Sequence, residues 1–264
     1  MSRKAGGSRT RRSEKRALLS FVPVNDGFHD GHDGLHGLHG HNGPLHGLHR
    51  PVDNQKPAKP LVPMNGAQHN YLTSIQNNVI TFAIGSAGTG KTYMAAAYAA
   101  ELLVKGEIQN LIITRPNIEA GKSMGYLPGD LAEKYAPYLE PILDVLYERI
   151  GRSQTDYMVK RGMIQFKPLG FLRGKSFKNS FIILDEAQNC DVSEMKLFLT
   201  RIGEDCKVII DGDIKQCDLR NGMSGLQDAV QRLYGVRRVG VVEFTNAHCV
   251  RSGICKDILE AYEK

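Results

Sequence analysis

The sequence predicts an α/β fold, a doubly wound parallel sheet built around a phosphate-binding loop, and three observations carry that expectation. Short apolar runs alternate with helical stretches from about residue 79 onward, the pattern of strands joined by crossover helices. The run Gly85-Ser86-Ala87-Gly88-Thr89-Gly90-Lys91-Thr92 satisfies G-x-x-x-x-G-K-[ST] at every fixed position. A second apolar run, Phe181-Ile182-Ile183-Leu184, leads directly into Asp185-Glu186, as expected of a strand covered on both faces that ends in acids.

Taken in order, strands are expected near Val79 to Ile84, Asn110 to Thr114, Met163 to Phe166, Ser180 to Leu184, Lys207 to Ile210 and Val239 to Phe244. Helices are expected near Lys91 to Lys105, Leu127 to Ile150, Val192 to Ile202, Ser224 to Tyr234 and Cys255 to Tyr262. The longest connections, 116–129 and 170–178, follow strand ends and are places for recognition.

In the first motif the glycines let the backbone wrap an oligophosphate, with amide N–H groups and a helix N-terminus facing it. Gly85, Ser86, Ala87, Gly88, Thr89, Gly90, Lys91, Thr92 and the adjoining Tyr93 are therefore the expected nucleotide contacts. Lys91 would neutralise β and γ oxygens, and the Thr92 hydroxyl would ligate Mg²⁺. A ligand-free glycine turn is the plain alternative. In the second motif Asp185 would hold Mg²⁺ through water and Glu186 would polarise an attacking water, which favours hydrolysis over transfer to a small acceptor. An Asp-Glu pair that merely complements a helix dipole is the alternative there. A third run, Lys207-Val208-Ile209-Ile210, ends in Asp211-Gly212-Asp213 and reaches Gln216. Its carboxamide could sense a γ-phosphate by accepting from water and donating to phosphate; an ordinary polar turn is the alternative.

The net charge of +6 is unevenly placed. Seven of 34 basic residues but only one of 28 acidic residues fall in 1–16, so the remainder is formally neutral. Attraction to a phosphate backbone would thus reside in the leader. Seven of the nine histidines lie in the Gly-, Leu- and His-repeating tract 26–50, which reads as a solvated linker that could also bind soft or borderline metals. Residues 1–64 are expected to be a basic, His/Gly/Pro-rich disordered leader, and 65–264 the catalytic domain. Five cysteines without metal spacing read as reduced intracellular thiols. The ends show no apolar stretch of signal or transmembrane length, so a cytoplasmic protein without a membrane role is expected.

These residues together resemble the PhoH-like family of P-loop ATPases. The resemblance runs from about Gln68 to Tyr262 and includes Thr114-Arg115-Pro116, Glu119-Ala120-Gly121, Gly125-Tyr126-Leu127-Pro128-Gly129-Asp130-Leu131, Phe171-Leu172-Arg173-Gly174, Asp185-Glu186-Ala187-Gln188-Asn189, Phe198-Leu199-Thr200-Arg201 and Ser224-Gly225-Leu226. It implies a RecA-like core related to superfamily 1 helicases, ATP and Mg²⁺ as ligands, and a role in handling RNA or single-stranded DNA. It also implies that Gln68 reads the adenine edge, with Tyr71 near enough to stack on the base. Three positions depart from the family pattern: Asp211 where Thr is usual, Lys122 where Glu is common, and Ser252 where His follows the late Arg.

A superfamily 1 helicase binds ATP between two RecA domains, and this sequence accounts for one. A neighbouring subunit is then expected to supply the arginine finger, in a homo-oligomer such as a hexameric ring. Arg251 matches the family's late arginine, and Arg173 and Arg201 are the other candidates. An ATP-driven remodeller of protein partners and a nucleotide-gated switch with little turnover are the alternatives to a nucleic-acid motor.

Overall fold

The computed structural model describes residues 60–116, 131–172, 174, 176–216 and 224–250, together with positions 253, 254, 258 and 261; for 131–138 it describes the backbone alone. Six strands form one sheet: β1 (Ile80–Gly85), β2 (Asn110–Arg115), β3 (Ile164–Pro168), β4 (Ser180–Leu184), β5 (Lys207–Gly212) and β6 (Val239–Phe244). Every pairing is parallel, in the order β3-β2-β4-β5-β1-β6. The helices are α1 (Gly66–Asn77), α2 (Lys91–Lys105), α3 (Leu131–Ile150), α4 (Arg152–Lys160), α5 (Val192–Leu199) and α6 (Gly225–Leu233).

Strand alternation sorts the core into two layers, because successive side chains point to opposite faces. Ala83, Leu111, Ile113, Phe181, Ile183 and Ile209 face α1 to α4. Phe82, Ile112, Ile182, Leu184, Val208 and Ile210 face α5 and α6. Burial on both sides explains why the central strands are uninterrupted apolar runs rather than alternating ones. No helix among the described residues is long and apolar enough to cross a membrane.

The six expected strands are all present. Two helices were not anticipated. One is α1, whose sequence GAQHNYLTSIQN carries few apolar residues; it starts where the Asn65 side chain accepts from Gln68 N at 2.9 Å, an N-cap. The other is the short polar α4, set off from α3 by Gly151. The helix expected to start at Leu127 is described from Leu131, and the one expected to run to Ile202 ends at Leu199. The expected helix 255–262 lies largely outside the described residues.

Helix α1 is fastened to the sheet at its far end. Lys207, the first residue of β5, donates from Nζ to Ile75 O at 2.7 Å, Gln76 O at 2.9 Å and Asn78 O at 3.2 Å. These are carbonyls at a helix C-terminus, where a cation is favoured. Partial burial, and then the Arg238 charge, push the Lys207 ammonium pKa below its ordinary value. Lys207→Met is expected to lower the stability of the chain by about 1–2 kcal/mol, the scale of hydrogen bonds to a charged group in a part-buried setting. Urea unfolding should show the loss, and an unchanged midpoint would deny that this anchor matters.

Candidate nucleotide site

All the predicted motifs emerge at one edge of the sheet, since parallel strands place every carboxyl end on the same side. Gly85, Arg115, Leu184 and Gly212 close β1, β2, β4 and β5 there. Strand β5 lies between β1 and β4, so the phosphate loop and the Asp185-Glu186 pair are separated by the strand that ends in Asp211-Gly212.

The loop 85–90 is shaped by sterics. Gly85 has φ +138°, and a Cβ there would lie 1.8 Å from Phe244 O; Gly90 has φ +85°, and a Cβ would lie 2.8 Å from Gln68 Nε2. Only glycine fits this combination of backbone conformation and close approach. The flanking elements also bind the loop through polar bonds. Gln68 Nε2 donates to Thr89 O at 3.0 Å, Val250 N donates to Gly88 O at 3.0 Å, and Ser86 Oγ donates to Asn246 Oδ1 at 2.5 Å. Thr89 Oγ1 closes the turn by donating to Ser86 O at 3.0 Å. Lys91, 9% exposed, donates to Gly85 O at 2.7 Å and Ser86 O at 3.0 Å. Its ammonium therefore sits over the loop at the first turn of α2.

Thr92 joins the loop to the acids. Its Oγ1 lies 3.2 Å from Asp185 Oδ1 and 3.1 Å from Asp211 Oδ2. Asp211 is 1% exposed, and burial first, then the Asp185 carboxylate, push its carboxyl well above the usual range, against the opposing pull of Lys91 and Thr92. These are hard oxygen donors on short side chains, the chemistry that suits Mg²⁺. Two carboxylates and a hydroxyl leave coordination positions for water and phosphate, as that ion requires.

Glu186 stands just outside this group with φ +55°, an unusual conformation for a residue with a Cβ. Both of its oxygens are held: Arg115 Nη2 donates to Oε1 at 2.7 Å and Gln188 Nε2 donates to Oε2 at 2.5 Å. Arg115 Nε is also 3.8 Å from Asp185 Oδ2. Gln188 Oε1 in turn accepts from Asp213 N at 3.1 Å, and Gln188 O accepts from Ser224 Oγ at 3.0 Å. Gln188 and Asn246 are thus site residues to which the motif reading gave no role, and Arg115 stands against the two acids that follow β4. Gln188 stood in a family-like stretch, and that was its only signal.

The other expected residues fall as follows. Gln68 is 2% exposed, and besides its bond to Thr89 its Oε1 accepts from Met64 N at 2.8 Å. Tyr71 is 0% exposed and packs edge-on against Phe244, with ring centroids 5.5 Å apart. The expectation that Tyr71 stacks on a base is corrected: its ring belongs to the core between α1 and the sheet. Tyr93 is partly exposed and donates from its hydroxyl to Glu148 at 3.1 Å. Gln216 closes a turn, its N donating to Asp213 O at 2.9 Å, and its side chain is exposed. Arg201 follows α5, and its carbonyl accepts from Phe177 N, ahead of β4; it stands at the sheet edge opposite the cleft. Arg251, Arg173 and the leader 1–59 lie outside the described residues.

Asn246→Ala is expected to weaken nucleotide binding about three- to tenfold, the worth of one part-buried hydrogen bond. The change should lower the melting temperature by no more than about 4 °C. Titration with a fluorescent nucleotide checks this, and an affinity equal to that of the unaltered chain would show that the Ser86 contact does not shape the loop.

Comparison with known proteins gives the family of the chain. The family model described as "PhoH-like protein" matches residues 60–263. Protein PhoH of Escherichia coli K12 is 44% identical over 212 residues, 79% of this chain and 60% of its own. The PhoH-like protein of Bacillus subtilis is 43% identical over 198 residues, 75% of this chain and 62% of its own. That of Mycobacterium tuberculosis H37Rv is 41% identical over 207 residues, 78% of this chain and 59% of its own. The chain therefore spans about three fifths of the length of these relatives. A solved structure, the Saccharomyces cerevisiae Hsp104–ADP complex, aligns with 75% of this chain and 34% of its own at 15% identity and a TM-score of 0.29, too slight a likeness to inform function. With the glycine loop, the acid-tipped strand and the parallel sheet in place, the chain belongs to the PhoH-like family of P-loop NTPases.

Proposed function

We propose that the chain binds ATP with Mg²⁺ and hydrolyses it, and that turnover is coupled to RNA or single-stranded DNA. The observation that carries the reading is the convergence of Lys91, Thr92, Asp185 and Glu186 at one sheet edge, with the Thr92 hydroxyl 3.2 Å from Asp185. The loop amides and Lys91 bind and orient the phosphates. Thr92 and Asp185 hold the cation, which when bound offsets charge on the β and γ oxygens. Glu186 orients the attacking water and takes its proton, with Arg115 and Gln188 setting the direction of its carboxylate. Gln216 senses the γ-phosphate from the turn after β5, while Gln68 and Tyr93 flank the base.

Coupling to a strand is favoured by Arg115. It closes β2, pairs with Glu186, and precedes the long connection expected to carry recognition. Phosphate contacts or base stacking along that connection would bear on the water-activating residue through one salt bridge. The second reading, a remodeller of protein partners, is favoured by the formal neutrality of the chain beyond residue 16. In either case a neighbouring copy in a ring supplies the finger, with Arg251 as its residue.

Hydrolysis measured with and without single-stranded RNA and DNA tests the proposal. Lys91→Ala is expected to abolish nucleotide binding. Glu186→Gln should retain ATP while cutting kcat by at least about 100-fold, the lower range for loss of a general base. Activity that persists in Glu186→Gln would sink the assignment of the base. Hydrolysis indifferent to both polymers would favour the protein remodeller.

A further inference from the structure

Asp211 has no part in the mechanism just described. It is the penultimate residue of β5, the strand between the phosphate loop and the Asp185 strand. In register it lies beside Ala83 of β1, and its carboxylate comes within 3.1 Å of the Thr92 hydroxyl. That hydroxyl has one proton and two carboxylate neighbours, so it can donate to only one of them at a time. The remaining oxygen is satisfied only by a proton on one of the two acids or by a cation between them. The neighbouring ammonium of Lys91 is directed to Gly85 O and Ser86 O. A second observation points to the same place. The Tyr71 hydroxyl is buried and has no hydrogen-bond partner among the described residues, and burial first, then the Asp211 and Asp185 charges, push its pKa well above the ordinary value. Two facing carboxylates, a shared hydroxyl and an unpartnered phenol are what a hydrated dication would satisfy.

We propose that Asp211 is a cation-positioning carboxylate which, with Thr92 and Asp185, forms a seat for a divalent cation that fills before nucleotide arrives. The inference rests on the reading that the loop takes a nucleotide with Mg²⁺, and goes beyond it. With one carboxylate and a hydroxyl, most of the charge that holds the cation comes from the phosphates. A second buried carboxylate on the protein changes that balance, because affinity for hard cations rises with ligand charge. The consequence is an ordered site: cation first, then triphosphate.

The test is Mn²⁺ binding to the nucleotide-free full chain, read by the electron paramagnetic resonance signal of the free ion, with Mg²⁺ as competitor. Asp211→Asn and Asp211→Thr are compared with the unaltered chain, so that any Mn²⁺ held by the histidine tract is common to all three. The expected result is one Mg²⁺-displaceable Mn²⁺ in the unaltered chain, with affinity reduced at least tenfold in both variants. A fluorescent ATP analogue should bind the unaltered chain with Mg²⁺ present and less tightly in EDTA, where both variants should bind it at least as well as the unaltered chain does. In EDTA the variants should melt no lower than the unaltered chain, and added Mn²⁺ should raise its melting temperature more than theirs. Equal Mn²⁺ affinity, or equal gains in melting temperature, would overturn the role of Asp211 even while the analogue still binds. Failure of the unaltered chain to bind the analogue with Mg²⁺ present would instead remove the nucleotide reading itself, and this inference with it.

Discussion

The cleft depends on one steric constraint, the confinement of the loop 85–90 between the end of β6 and the start of α1. The Phe244 carbonyl leaves no room for a Cβ at Gly85, and at Gly90 the left-handed backbone beside the Gln68 carboxamide favours glycine as well. The polar bonds from Gln68, Asn246 and Val250 then fix the loop against these walls. Without that confinement a glycine-rich segment would have high conformational entropy and would have to be ordered by the ligand. With it, Lys91 and Thr92 open α2 in defined positions, and the distances from Thr92 to the two carboxylates follow. Lys207 contributes at a distance, since it holds the far end of the helix that supplies Gln68.

Electrostatics set the second condition. Asp185, Glu186, Asp211 and Asp213 gather at the edge where Lys91 and Arg115 supply the nearby positive charge. A triphosphate entering with no cation would meet carboxylates whose mutual repulsion is weakly screened in a partly buried site. A dication therefore does more than polarise the γ-phosphate in such a cleft. It would make binding of phosphates compatible with the acids gathered at this edge. The backbone of Glu186 shows the same tension, since the left-handed conformation costs about 1 kcal/mol and is held by bonds to both carboxylate oxygens.

Much of this was legible in the sequence, for identifiable reasons. The strands were legible because two covered faces demand apolar runs such as 181–184. The loop was legible because phosphate binding needs glycine at fixed spacing. Helix α1 was not, because it buries Tyr71, Ile75 and little else that is apolar, and its start signal is one asparagine. The same helix hid the true place of Tyr71, which a local reading puts near the base and tertiary packing puts against Phe244. Asp211 could be seen as a departure from the family pattern. Its position between the loop and Asp185 could not, since that follows from the strand order β4-β5-β1. The partnership of Arg115 with Glu186 likewise arises from pairing between β2 and β4 across 71 residues of sequence.

That last pairing organises the chemistry of the edge. Glu186 is held from two directions, by Arg115 at the end of β2 and by Gln188, which also binds the backbone of Asp213 after β5. A change at either strand end therefore reaches the same carboxylate by one side chain. From β5 the signal is the turn that carries Asp213 and Gln216, beside the expected position of the γ-phosphate. From β2 it is the connection that begins at Pro116, where a partner would bind. Rigid parallel strands make poor levers along their length, because ladder bonds resist sliding, but their loops are free to respond. Held by Arg115 at the end of β2 and by Gln188, which is itself bonded to the backbone after β5, the Glu186 carboxylate is tied to the loop ends of two strands other than its own.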